Sequence, residues 1–146
     1  MNPNLEHCRE VFIKPTDALK ASVFFIAMSR PLTEQELHNL AMNIVGRELE
    51  ADGFEFMAIN SKLKKNPQYV CLKEKIMHFI VVRNVEFPLD PREYDEELMY
   101  TVKEHAIKFE AKTYFAGVGL ANASDRTLPV HLDEEYIVDY QGLIEI

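Results

Sequence analysis

The chain has 146 residues, of which 47% are hydrophobic and 27% are charged, a composition typical of one globular domain. Asp and Glu number 24 against 16 Lys and Arg, so the formal net charge is -8 and nucleic acid is not an expected partner. No apolar run approaches the ~20 residues that cross a membrane, so no integral membrane segment is expected.

The two cysteines, Cys8 and Cys71, are too few for a disulfide framework or an iron–sulfur cluster. Cys71 lies in the apolar stretch Tyr69–Leu72, which indicates a buried and unreactive thiol. The first residues show no basic segment followed by a long apolar run, so they do not resemble a secretion signal. We therefore expect a reducing, cytoplasmic environment.

Residues 1–27 differ from the rest of the chain. They show neither helical nor strand periodicity over any length, and their charges cancel, so the whole net charge of -8 belongs to the residues that follow. We expect residues 1–27 to be a loosely ordered N-terminal extension, or to precede a true translation start at Met28. Residues 28–146 are expected to form a single α/β domain.

The first strong element is a helix predicted from about Thr33 to Asp52. The sequence Thr-Glu-Gln-Glu, ending at Glu36, is typical of a capping box. Apolar residues then recur at helical spacing, and Gly53 is a natural stop. Glu34 and His38, four residues apart on this helix, are predicted to form an exposed pair.

Three strands are predicted next, at residues 54–59, 68–72 and 76–84. A lysine-containing loop separates the first two, and the tight turn Lys73–Lys75 separates the second from the third. The third strand is apolar on both faces, which predicts a central strand covered on both sides. Short connections of this kind favour an antiparallel meander.

The remainder predicts a second helix and further strands. Asp95 can cap a helix that runs to about Ala111, and residues 113–121 form a strand that is apolar on both faces. The helix would return the chain to the sheet as a crossover. Residues 130–146, with a turn at Gly142, are predicted to be one or two edge strands. The expected fold is α/β: a mixed sheet in αβββαβ order with a helix on each face, plus C-terminal edge strands.

This order of elements, over about residues 34–121, resembles the restriction-endonuclease-like fold of the PD-(D/E)xK nuclease superfamily. It is similar in detail to small bacterial proteins related to Holliday-junction resolvases. The resemblance is carried by Glu36 on the first helix and by three further pieces: Gly53-Phe54, Pro67–Val70 and Phe79–Arg83. It implies a site in which two acids hold a divalent metal and a lysine helps to position the attacking water.

The residues at the corresponding positions depart from that motif. The first acid would lie at Gln68, which is an amide, and the second at Val81, which cannot bind a metal. The lysine would lie at Arg83, which stays charged and is a poor base. Glu36 is what remains of the acidic set, and one carboxylate does not make a magnesium site. The resemblance therefore implies a degenerate centre with no catalytic residue, no metal and no cofactor.

A second resemblance covers Leu32 to Ala123, which are similar to short bacterial proteins named after one component of the sodium-translocating NADH–quinone reductase. The chain lacks the cysteine cluster and the flavin and nicotinamide motifs of that enzyme, so this resemblance brings no catalytic residue with it. Gly117 and Gly119 lie within a predicted strand and not at a turn into a helix. They therefore indicate close packing of a neighbouring segment and not a dinucleotide site.

Two charged regions suggest contacts with partners. The loops that flank the second predicted strand carry candidates for a small anion-binding surface, although solvated loop charge is the interpretation we favour; they are Lys62, Lys64, Lys65, Lys73 and Lys75. The acidic and apolar segment 133–146 is typical of an exposed strand edge, which suggests the hypothesis of a homodimer through this C-terminal edge.

We therefore expect a binding or assembly module with an unknown protein partner, a nuclease-like fold and no catalytic activity. One alternative is a divergent Mg²⁺-dependent nuclease, in which Glu36 together with Glu55 or Glu74 rebuilds the metal site. Another is a peripheral accessory protein of an NADH–quinone reductase.

Overall fold

A computed structural model of the chain describes residues 9–12 and 29–146. It contains two helices and seven strands, which are β1 Arg9–Phe12, α1 Glu34–Ala51, β2 Glu55–Ile59, β3 Tyr69–Lys73, β4 Ile76–Glu86, α2 Glu96–Ile107, β5 Lys112–Asn122, β6 Tyr136–Tyr140 and β7 Ile144–Glu145. The sequence did not predict β1. The expectation of a loosely ordered extension over residues 1–27 otherwise lies outside the described residues and stays a prediction.

The strands form one mixed sheet in the order β1-β6-β5-β4-β3-β2, with β7 paired to β5. Strands β2, β3 and β4 are antiparallel neighbours, which confirms the predicted meander. Strand β5 then pairs parallel to β4, because α2 carries the chain back across the sheet before β5 begins. The described part of the chain is therefore a mixed α/β fold that contains the predicted αβββαβ order.

Both helices begin at the predicted capping residues. The Thr33 hydroxyl accepts a hydrogen bond from the Glu36 backbone N–H at 3.1 Å, and the Glu36 carboxylate accepts one from the Thr33 N–H at 2.9 Å. Asp95 caps α2 by accepting from the Leu98 N–H at 3.1 Å. The predicted end of α2 at Ala111 is wrong, because the chain turns at Glu110, which adopts a φ of +54° and ends helical geometry.

The helices cover opposite faces of the sheet. In β4 the fully buried Ile80 and Val82 pack in the core beneath α1, whereas Val81 packs in the core beneath α2. Successive side chains of a strand point to opposite faces, so a strand with apolar residues at every position needs a layer on each side. The prediction of a central strand covered on both sides is thus confirmed. Cys71 is fully buried, and burial raises the pKa of its thiol to about 11.

The prediction of C-terminal edge strands is wrong for β6. This strand pairs with β5 on one side and with β1 on the other. Strand β7 pairs with β5 alone within the described part of the chain. The second edge of β6 is therefore occupied by β1, whereas β7 has one paired edge in the described part. The hypothesis of a homodimer through the C-terminal edge stays a prediction.

The loop between β4 and α2 lies against β5 at a position where only glycine fits. A Cβ on Gly117 would lie 1.9 Å from the Pro91 carbonyl oxygen, whereas a Cβ on Gly119 would have its nearest neighbour, the Asp139 Cβ, at 3.1 Å. The close packing expected at these glycines is therefore confirmed. It fixes the loop that leads to the amino end of α2.

We expect Gly117→Ala to lower the free energy of unfolding by about 1–3 kcal/mol, because the methyl group can be accommodated only if the backbone at Pro91 moves. Gly119→Ala is the matched control in the same strand and should lower the free energy of unfolding clearly less. Urea unfolding of the two variants measures both values. Equal decreases in the free energy of unfolding would show that contact with Pro91 does not restrict the size of the side chain at position 117.

Candidate functional site

A cleft of about 890 Å³ opens at the carboxyl end of β4. Its walls come from the first turns of α1, from the β2–β3 loop and from the β4–α2 loop, and Arg83 lies at the end of β4 between them. In sheets with parallel strands, ligands bind outside the carboxyl ends of those strands. The parallel pairing of β4 and β5 therefore makes this cleft the candidate site.

Arg83 is held in this cleft by neutral oxygen atoms. Its Nη1 donates to the Val82 carbonyl at 2.8 Å and to Gln68 Oε1 at 3.3 Å, and its Nη2 donates to Asn66 Oδ1 at 2.7 Å. The ion pair of Arg30 with Glu36 is the one salt bridge found within residues 29–146, so no carboxylate of that part contacts Arg83. Burial lowers the pKa of Arg83, and the nearby charge of Asp95 opposes this shift.

The Gln68 amide organises this arrangement. The residue is fully buried, and its Oε1 also accepts from the Val82 backbone N–H at 2.8 Å. Its Nε2 donates to the Lys65 carbonyl at 2.7 Å and to Asn66 Oδ1 at 3.2 Å. A carboxylate could replace the acceptor but not the donor, so the geometry favours an amide at position 68.

His38 lies on the α1 side of the same cleft. It is only 2% exposed, and its Nε2 has no hydrogen-bond partner among the described residues. Burial lowers the pKa of His38, and the positive charge of Arg83 lowers it further, while Glu34 acts in the opposite sense. The prediction of an exposed Glu34–His38 pair is therefore wrong. A buried polar atom without a partner costs about 1–3 kcal/mol.

Negative charge predominates around the cleft. Lys64 and Arg83 are the lysine and the arginine that line it. The carboxylates that line it are Glu34, Glu86, Asp90, Glu93 and Asp95. One half-buried positive charge is thus surrounded by an acidic rim.

Of the four positions compared with the nuclease motif, Gln68 and Arg83 meet beside the cleft, which Arg83 lines and Gln68 does not, and the other two lie elsewhere. Gln68 and Arg83 are in direct contact through Oε1 and Nη1. Val81 is buried against α2 in the core. Glu36 forms an ion pair with Arg30 at 2.7 Å, and this hydrogen bond, together with the one from Thr33, lowers the Glu36 pKa to about 2. Glu36 therefore caps α1 outside the cleft.

The structure separates the five lysines into two groups. Lys62, Lys64 and Lys65 lie in the β2–β3 loop, and Lys64 reaches the cleft. The other two are at the far end of β3, roughly 17 Å away along a five-residue strand; of these, the Lys73 Nζ lies 4.8 Å from the centre of the Phe54 ring. The lysines therefore do not form one anion-binding surface, and anion binding by the loop group stays a prediction.

The acids of the nuclease alternative are not brought together. Glu74 lies in the β3–β4 turn, and Glu55 pairs with Leu72 beside that turn. Glu36 lies in the first turn of α1, whereas the chain reaches Glu55 only after the far end of this helix, about 22 Å along its axis from Glu36. Within residues 9–12 and 29–146, no group of three or more His, Cys, Asp or Glu side chains is placed to hold a metal ion.

Three residues of the site were not predicted from the sequence as parts of it. Asn66 precedes a proline in a loop, Glu34 lies within the capping box of α1, and His38 follows that box. The burial of His38 had one available signal, since it directly follows Leu37 on a helix whose apolar face was recognised. Nothing local to the β2–β3 loop indicates that Asn66 would bind Arg83.

We expect Gln68→Leu to lower the free energy of unfolding by about 2 kcal/mol or more, because it leaves the buried Val82 N–H without an acceptor. Gln35→Leu is the matched control. It also removes an amide that makes two hydrogen bonds, to Asn39 and Ser61, but in an exposed place, so it should cost less than about 1 kcal/mol. Similar losses in urea unfolding would contradict the role of Gln68.

The free energy of unfolding should decrease as the pH falls below 6.5. The folded-state pKa of His38 lies below its ordinary value of 6.5, so the unfolded chain takes up the proton first and is favoured by acid. His78 should also make the folded state less stable in acid, because burial lowers its pKa as well. Urea unfolding at several pH values should show a smaller pH dependence for His38→Leu. An unchanged dependence would contradict the burial of a neutral imidazole.

Comparison with known proteins places most of the chain in one family. The model of a domain of unknown function, DUF8840, matches residues 35–146, which include β2 to β7 and nearly all of α1. No curated protein and no solved structure matches the chain. Neither helix of the described part is both long and apolar enough to span a bilayer. The chain belongs to the DUF8840 family, whose function is unknown.

Proposed function

We propose that this protein is a binding module without hydrolytic activity, built on a restriction-endonuclease-like fold whose metal centre has been replaced. The observation that carries the proposal is the contact between Gln68 Oε1 and Arg83 Nη1 at 3.3 Å. These are the residues at the positions where the resemblance implies the first acid and the lysine. The αβββαβ order of the described part is compatible with that fold.

The chemistry of the contact supports binding over hydrolysis. The Gln68 oxygen is used by the Val82 N–H and by Arg83, so it is not free to bind an ion. The guanidinium keeps its charge and would repel a divalent cation at short range. Val81 offers no oxygen and is buried under α2.

The cleft gives the module a place to bind. Its volume of about 890 Å³ lies within the range of small-molecule sites, and its lining combines apolar side chains with a larger number of polar and charged ones. The chain fits a role in which it recognises a ligand or a partner at this cleft. In the cell this would make it a binding or assembly component.

We expect no cleavage of four-way junctions or single-stranded DNA by the full chain with Mg²⁺ or Mn²⁺, and no heat of Mn²⁺ binding in calorimetry, because two of the required ligands are absent. The variant Gln68→Asp/Val81→Glu/Arg83→Lys, with folding checked by circular dichroism, is the comparison for Mn²⁺ binding. Metal-dependent cleavage by the unaltered chain that disappears in Glu36→Ala would overturn the proposal in favour of a divergent nuclease.

A further inference from the structure

Arg83 has hydrogen-bonding capacity that the described residues do not use. A guanidinium carries five N–H donors. Nη1 uses two of them, on Val82 and Gln68, and Nη2 uses one, on Asn66. The Nε–H and the second Nη2–H have no partner among residues 9–12 and 29–146. A half-buried cation with unused donors is a place where an anionic oxygen would bind.

His38 supplies an independent observation in the same cleft. Its Nε2 is buried and has no partner among the described residues, although the native state normally satisfies such atoms. Both His38 and Arg83 line the cleft, and their charges are coupled. A ligand atom, or a water molecule held by a ligand, would provide the missing partner.

The charges around the cleft restrict what the ligand can be. A simple anion would be attracted by Arg83 but repelled by the acidic rim. A simple cation would be attracted by the rim but repelled by Arg83. Asp95 is the carboxylate whose charge acts on Arg83. Arg83 and Asp95 both line the cleft, so a molecule that carries a carboxylate and an ammonium group can satisfy both charges.

We propose that the cleft at the end of β4 binds a small zwitterion of the amino-acid type, with its carboxylate on Arg83 and its ammonium on Asp95 and the neighbouring rim acids. The side chain of the ligand would lie against the apolar walls formed by Leu37, Leu63 and Tyr94. This inference rests on the proposed function, because a hydrolytic metal centre would need the same space.

The test is an NMR titration of the ¹⁵N-labelled full chain with each of the common L-amino acids, and with acetate and methylammonium as half-ligands. At least one amino acid should bind roughly tenfold or more tightly than either half-ligand, because it makes both charge-assisted contacts at once. The side-chain amide of Gln68 and the backbone amide of Val82 should shift. Binding by no amino acid, or equally tight binding of acetate or methylammonium, overturns the inference.

Two variants and two controls locate the site. Arg83→Gln should weaken amino-acid binding roughly tenfold or more. Asp95→Asn should do the same while α2 keeps its cap, because Asn caps helices as well as Asp does. Arg92→Gln and Glu96→Gln remove the same charges from exposed neighbours outside the cleft and should leave affinity unchanged. If Arg83→Gln does not fold, Asp95→Asn decides, and unchanged binding in Asp95→Asn overturns the inference.

The outcome separates this inference from the proposed function. Failure of every amino acid to bind, with no Mn²⁺ binding and no DNA cleavage, overturns the zwitterion site and leaves the non-hydrolytic module standing. Mn²⁺ binding at the cleft together with DNA cleavage overturns both.

Discussion

The hydrogen bonds of the Gln68 amide connect the end of the β2–β3 loop to β4, and the cleft depends on this connection. Its oxygen accepts from Val82 and Arg83 while its nitrogen donates to the Lys65 carbonyl. Because Val82 is fully buried, its N–H would otherwise be left without water or a partner. The amide therefore fixes both the path of the loop and the position of the guanidinium.

This constraint gives the cleft an unusual balance of charge. Arg83 stays positive without a contacting carboxylate among the described residues, and the acids of the rim lie around it at longer range. A nuclease centre needs the opposite arrangement, with acids at the base to attract a metal.

Much of the fold follows from local patterns, and the failures have two causes. The capping box of α1 and the two-faced apolar character of β4 both involve residues within a few positions of one another, so they could be recognised directly. The position of β6 inside the sheet depends on pairing with Arg9–Phe12, which is remote in sequence. The end of α2 before the predicted Ala111 depends on the left-handed conformation of Glu110, and no sequence motif predicted this conformation.

The sequence by itself determined the order of helices and strands from α1 to β5 and the chemical groups at Gln68, Val81 and Arg83, since an amide, an alkyl group and a guanidinium keep their chemistry in any fold. Only the tertiary structure decided which of them meet. It brought Gln68 to Arg83, buried His38 beside them and left Glu36 outside with Arg30. The physical reason is that periodicity and capping are set over one or two turns of chain, whereas burial, charge coupling and strand pairing are set by segments that only folding brings together.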